Sequence, residues 1–206
     1  MARSTAVAAT VLSVQGRLNR SFEEIDAADP DAFRARPTAR LIRTDDFADI
    51  GGTANSPIRF PTLSLFCYRV DVNHVMRPPW SAVASVDGSV HLPLDIHLLL
   101  TPWDGDAEAE LRILGATMQI LDQHPVLSGP SLHPLGGWSP GEAVQVLNED
   151  LRTEDVLRTF DTLPSDFRLS VSYCLRIAKV DAPDEPDHPD VTTAVRGLSA
   201  SSVPYP

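Results

Sequence analysis

Lysine is almost absent from this 206-residue chain: Lys179 is the sole one among 17 basic residues, and the other sixteen are arginines. That bias reflects the base composition of the coding sequence more than mechanism, although guanidinium groups do suit polar interfaces. Cysteine is scarce as well. Cys67 and Cys174 are too few for the disulfide framework of a secreted scaffold, and no CxxC or Cys/His spacing of a zinc site occurs. Both are expected as buried thiols on strands. No run approaches the roughly 20 apolar residues of a membrane span, so no direct membrane insertion is expected. The longest apolar stretch near the start, residues 4–14, has only Arg3 ahead of it. Gln15, Arg17 and Arg20 follow where a signal peptide needs small residues, so it reads as a helix of the mature protein. A cytoplasmic location is the expectation. A basic surplus is missing too: 17 Lys plus Arg face 28 Asp plus Glu, for a formal net charge of −11. That balance argues against nucleic acid and anionic membrane surfaces as partners.

What is present is ordinary globular material. With 43% hydrophobic and 22% charged residues the chain can bury a core, and its length fits one domain or one domain with a tail. Val7, Val11, Val14, Leu18, Phe22 and Ile25 recur at helical spacing and predict an amphipathic helix over 4–25, ended at latest by Asp29-Pro30. Residues 26–61 carry little pattern beyond a short strand at 39–42. Thr62 to Val72 is β-branched, aromatic and apolar on both faces, which predicts an interior strand. His91 to Trp103 predicts another, with Leu92, Leu94, Ile96, Leu98 and Leu100 on one face and Asp95, His97 and Thr101 on the other.

A helix over 106–123 follows, capped by Asp104 or Asp106, with Leu111, Leu114, Met118 and Leu121 as its buried stripe and His124-Pro125 closing it. Four glycines and three prolines make 128–141 a loop, 144–147 a short strand, and Thr153 the cap of a helix to about Asp161. The clearest period-2 segment is 167–180, where Phe167, Leu169, Val171, Tyr173, Leu175 and Ile177 alternate with Arg168, Ser170, Ser172, Cys174 and Arg176. One face of that strand is expected to be wet or interfacial. The acidic, proline-rich segment 181–206 has no core pattern and is expected as a tail, flexible or ordered by a partner. The expected fold class is α+β, a mixed, mainly antiparallel sheet with helices packed on it, in a domain spanning 1–180.

Motifs that carry chemistry are few. Asp95 and His97, two apart on a strand, share a face and could orient an imidazole or hold a metal, yet no further ligands are spaced to complete a site. His74, His124, His133 and His188 stand in turn or tail contexts. No Gly-x-Ser-x-Gly elbow, Walker loop or G-x-G-x-x-G is present, so no enzyme activity and no cofactor are expected. The apolar two-faced strand and the strand arginines Arg69, Arg168 and Arg176 point either to surface buried against another chain or, equally, to burial inside the monomer. With Arg77, Asp95 and His97 these form the candidate interface set.

Four ordered blocks carry a resemblance: SLFCYRVDVN followed by Arg77, LPLDIHLLLTPW, ELRILGATMQILDQHPVL and DFRLSVSYCLRI. Over roughly residues 4–180 they resemble the N-terminal domain of the tail-terminator or cap protein of phage-tail-like contractile injection systems, of the Photorhabdus virulence cassette and antifeeding prophage type. The resemblance implies a tail-terminator-like fold and a structural, non-catalytic protein. It implies a homo-oligomer, a hexameric ring, seated on the last layer of sheath and inner tube, where it ends polymerisation and stabilises the tail end. An open strand edge is expected to suit an extended arm from a sheath subunit. The alternatives are an adaptor elsewhere in the same particle, on its neck, baseplate or membrane-anchoring side, or, more remotely, a small metal-dependent hydrolase using Asp95 and His97.

Overall fold

A computed structural model describes residues 4–51, 56–78 and 91–181. The expected tail at 181–206 lies outside these residues from position 182 onward. Nine main elements run in the order α1 (Ala6–Ala28), β1 (Thr38–Ile42), β2 (Thr62–Val72), β3 (His91–Trp103), α2 (Ala107–Gln123), β4 (Val126–Ser128), β5 (Ala143–Glu149), α3 (Thr153–Asp161) and β6 (Val171–Asp181). The strands form one sheet ordered β1-β2-β3-β6-β5-β4, parallel only between β1 and β2. The mixed, mainly antiparallel α+β expectation therefore holds. The three-residue β4 was not foreseen, because it falls where His124-Pro125 reads as a stop and 128–141 as a loop.

Each face of the sheet carries its own core. Even-numbered residues of β3, Leu94, Ile96, Leu98 and Leu100, join Leu63 and Leu65 of β2 and Leu175 and Ile177 of β6 beneath α1 and α2. Val11, Val14, Leu18 and Phe22 press α1 onto this layer, as their spacing predicts. The opposite face buries Leu99 and Trp103 of β3 with Ile42, Phe47, Ile58, Phe66 and, from α3, Val156 and Phe160. Phe47 meets Phe66, Trp103 and Phe160 edge-on at centroid distances of 5.3, 5.9 and 6.5 Å. Being covered on both sides explains why β3 is buried along nearly its whole length.

Four local expectations are corrected. In α2 the buried stripe is Ile113, Leu114, Thr117, Ile120 and Leu121, while Leu111 and Met118 are 57% and 40% exposed. Helix phase is fixed by the turn at Asp106, whose carboxylate caps Ala109 N–H at 3.3 Å, and that phase carries Leu111 to the outer side. The start of α3 is flanked by Arg152, and Thr153 is already its first helical residue, without a side-chain cap. β6 begins at Val171, not 167, so Phe167 and Leu169 remain outside the ladder and about half exposed. Finally, β2 is covered on both faces only in its first half, and Arg69 to Asp71 are exposed.

Candidate functional site

Odd positions of β3 place Asp95 and His97 on the sheet face opposite α1 and α2, beyond the apolar patch around Leu99. The cross-strand register sets their neighbours: Asp95 lies opposite Asp71 and Arg176, and His97 opposite Arg69 and Cys174. Strict alternation would put Arg69 on the other face, with Cys67. A bulge between Cys67 and Arg69 removes that phase, because Cys67 pairs with Leu98 and Arg69 with His97, leaving Tyr68 as the extra residue. Tyr68 and Arg69 consequently both reach the polar face, and Asp71 follows them.

Two linked networks result. In the first, Arg176 donates to both carboxylate oxygens of Asp95, at 2.8 and 3.2 Å, and Asn73 Nδ2 donates to the same oxygens at 3.0 and 3.3 Å. Asn73 Oδ1 in turn accepts the N–H groups of Val75 and Met76, and its carbonyl accepts Arg77 N–H at 3.0 Å. Asp95 thus anchors the turn that presents the exposed Arg77. Burial raises the Asp95 pKa, but the hydrogen bonds from Arg176 and Asn73 outweigh it, and the carboxyl ends below its ordinary value.

The second network surrounds His97, whose side chain is 7% exposed. Its Nδ1 lies 2.9 Å from Glu149 Oε1 and its Nε2 3.3 Å from Asp71 Oδ2. Arg69 bridges the two carboxylates, with Nε 2.8 Å from Asp71 and Nη2 3.7 Å from Glu149, and Nη2 also stands 3.2 Å from His97 Nε2. Glu149 Oε2 accepts from Ser172 at 2.8 Å and from Tyr68 OH at 3.0 Å. Burial opposes ionisation of Glu149, yet hydrogen bonds from His97, Ser172 and Tyr68 prevail and lower its pKa. Burial pushes the Tyr68 phenol up to about 12 and the Cys174 thiol up to about 11, so neither ionises near neutrality.

Of the six candidate residues, Arg69, Asp95, His97 and Arg176 come together here. Arg77 joins them only through the backbone of its turn. Arg168 stands apart, its guanidinium 5.6 Å over the Trp103 ring and 3.5 Å from Glu110. Tyr68, Asp71, Asn73, Glu149 and Ser172 were not singled out from sequence. Three of them sit in the block SLFCYRVDVN, and Glu149 lies two residues past the expected end of its strand. Among the described residues no group of three or more His, Cys, Asp and Glu is placed to hold a metal ion, and no helix is long and apolar enough to cross a membrane. The arrangement cross-links a charged sheet face and leaves Arg69 half exposed at its surface.

No curated protein matches the chain. Among solved structures it is similar to a sheath/tube terminator of an extracellular contractile injection system, PVC, in the extended state, with 16% identity, 90% of this chain and 64% of that chain covered, and a TM-score of 0.51. It also matches the tube-terminating cap of the anti-feeding prophage at 17% identity, covering 87% of this chain and 61% of that one, with a TM-score of 0.48. The chain therefore spans less than two thirds of the length of either structure. The family model described as the Pvc16 N-terminal domain matches residues 11–194, nearly the entire sequence and all six strands, and the chain belongs to that family.

Proposed function

We propose that this chain is a tail-terminator subunit of a contractile injection system. It forms a closed, hexameric ring on the last layer of inner tube and sheath, stops their polymerisation and stabilises the tail end. Family membership over residues 11–194 carries the reading. The terminator fold shared with the sheath/tube terminator supports it. The role is structural and non-enzymatic, and the protein acts in the cytoplasm as part of the assembling particle, with sheath and tube subunits as its partners.

Within such a ring the candidate residues divide by reach. Arg69, Arg77 and Arg168 keep exposed side chains and meet neighbouring subunits directly. Asp95, His97 and Arg176 spend their hydrogen bonds inside the chain and fix the geometry of that surface. Heterologous contacts that close on themselves then define the ring. The test is deletion of the gene in the producing strain, followed by electron microscopy of the particles. Tails of uncontrolled length, or no intact tails, are expected; tails of normal length and number would overturn the proposal.

A further inference from the structure

A six-stranded open sheet has two edges, and an edge strand presents a row of outward N–H and C=O groups to which any extended segment can pair. At one edge β4 offers only three residues. The other edge, β1, is five residues long, pairs among the described residues with β2 on one side only, and exposes Leu41 by 42%. Its outward groups belong to Ala39 and Leu41, because the intervening residues point their backbone toward β2.

Three of these four outward groups are already taken, by α1. Asn19 Oδ1 accepts Ala39 N–H at 2.7 Å while Asn19 Nδ2 donates to Ala39 C=O at 3.0 Å. One helical turn earlier, Gln15 Oε1 accepts Leu41 N–H at 3.2 Å. A side-chain carboxamide holds an acceptor and a donor side by side, the same pair that the peptide group of a neighbouring strand presents. Gln15 and Asn19 lie on the flank of the apolar stripe, so neither is required for packing α1 onto the core.

We infer that Gln15 and Asn19 stand in for a seventh strand and close the β1 edge to strand addition, the excluded occupant being the β1 edge of a second copy of this chain. The β1 edge is complete in geometry but largely occupied, and the three-residue β4 edge is left as it stands. Unassembled subunits are thereby kept from pairing β1 edge to β1 edge.

The test uses the full chain and its Gln15→Ala, Asn19→Ala and double variants, with a fluorescent synthetic peptide copy of residues 36–43 as the strand probe. Hydrogen exchange read by NMR should show Ala39 and Leu41 amides protected in the parent. Protection should fall at Ala39 alone in Asn19→Ala and at Leu41 alone in Gln15→Ala, while Asn19→Asp, which retains the acceptor, keeps Ala39 protected. Fluorescence anisotropy should show the peptide binding the folded double variant at least about tenfold tighter than the parent, the equivalent of about one hydrogen bond regained per edge. Equal binding to parent and double variant, or none to either, would overturn the inference. So would unchanged exchange at both amides in the single variants, which settles the matter even if the double variant does not fold.

Discussion

Asp95 and Arg176 form a two-pronged charged pair, and their energetic weight follows from what each leaves behind. Arg176 is only partly exposed, and in Asp95→Ala its guanidinium loses a two-pronged acceptor while Asn73 loses its anchor. The expected cost is about 1–3 kcal/mol in chemical denaturation. A double-mutant cycle with Arg176→Ala should return a coupling of about 0.5–3 kcal/mol, whereas zero coupling would mean the pair is solvated. Acid should reveal the same network. Asp95 and Glu149 both have folded-state pKa values below their ordinary ones, so their contribution is complete above the unfolded carboxyl range, about 4, and is lost as pH falls through the folded values. Unfolding midpoints measured from pH 6 down to pH 2 should therefore drop for the parent, and the drop should be shallower in Glu149→Gln. Part of this site was legible: spacing of two put Asp95 and His97 on one face. Arg69 joins them only because of the bulge at Tyr68, and no alternation rule contains a bulge.

At the scale of elements, legibility followed periodicity. The helix over 6–28 and the strands β2 and β3 announce themselves by runs long enough to fix a phase, as does β6 once Val171 is reached. The phase of α2 does not, since Leu111, Ile113, Leu114, Met118, Ile120 and Leu121 offer two overlapping stripes and the cap at Asp106 decides between them. Isoleucine and leucine truncations distinguish the two. Ile113→Ala should cost about 2–5 kcal/mol by loss of core packing, and Leu111→Ala should stay within about 0.5 kcal/mol, both read from denaturant midpoints. The poorly patterned stretch 26–61 hides more. Its Phe33 packs against Phe22, and its Phe47 sits at the centre of the second core with Trp103 and Phe160 around it. A single aromatic on a short 3-10 turn, Thr44–Ala48, has no period to betray it. Phe47→Ala should cost about 3–5 kcal/mol, more than any substitution on the exposed sheet face, because the void opens between two packed layers.

Over the whole molecule, the two faces of the sheet do different work. One is sealed by α1 and α2; the other is apolar near α3 and charged toward the far ends of β2, β3 and β5. With the β1 edge occupied, that charged face and the turn beside it are among the surfaces the proposed ring can use. Arg77 is the most informative residue on them. Its side chain is exposed, its backbone is held by the turn at Asn73, and Asn73 is held by Asp95, so charge reversal at Arg77 alters the surface without touching the core. Arg77→Glu should leave the unfolding midpoint within about 0.5 kcal/mol of the parent. In light scattering the parent should give a discrete species six times the 22.4 kDa chain, or join sheathed tubes on mixing, and Arg77→Glu should do neither. In an acidic chain with a formal net charge of −11 the substitution removes a positive charge and adds a negative one at the contact, and like charges placed together at an interface disfavour association. If Arg77→Glu assembles as the parent does, the turn lies outside the ring contact, and Arg69 and Arg168 become the only exposed members of the candidate set left to carry it.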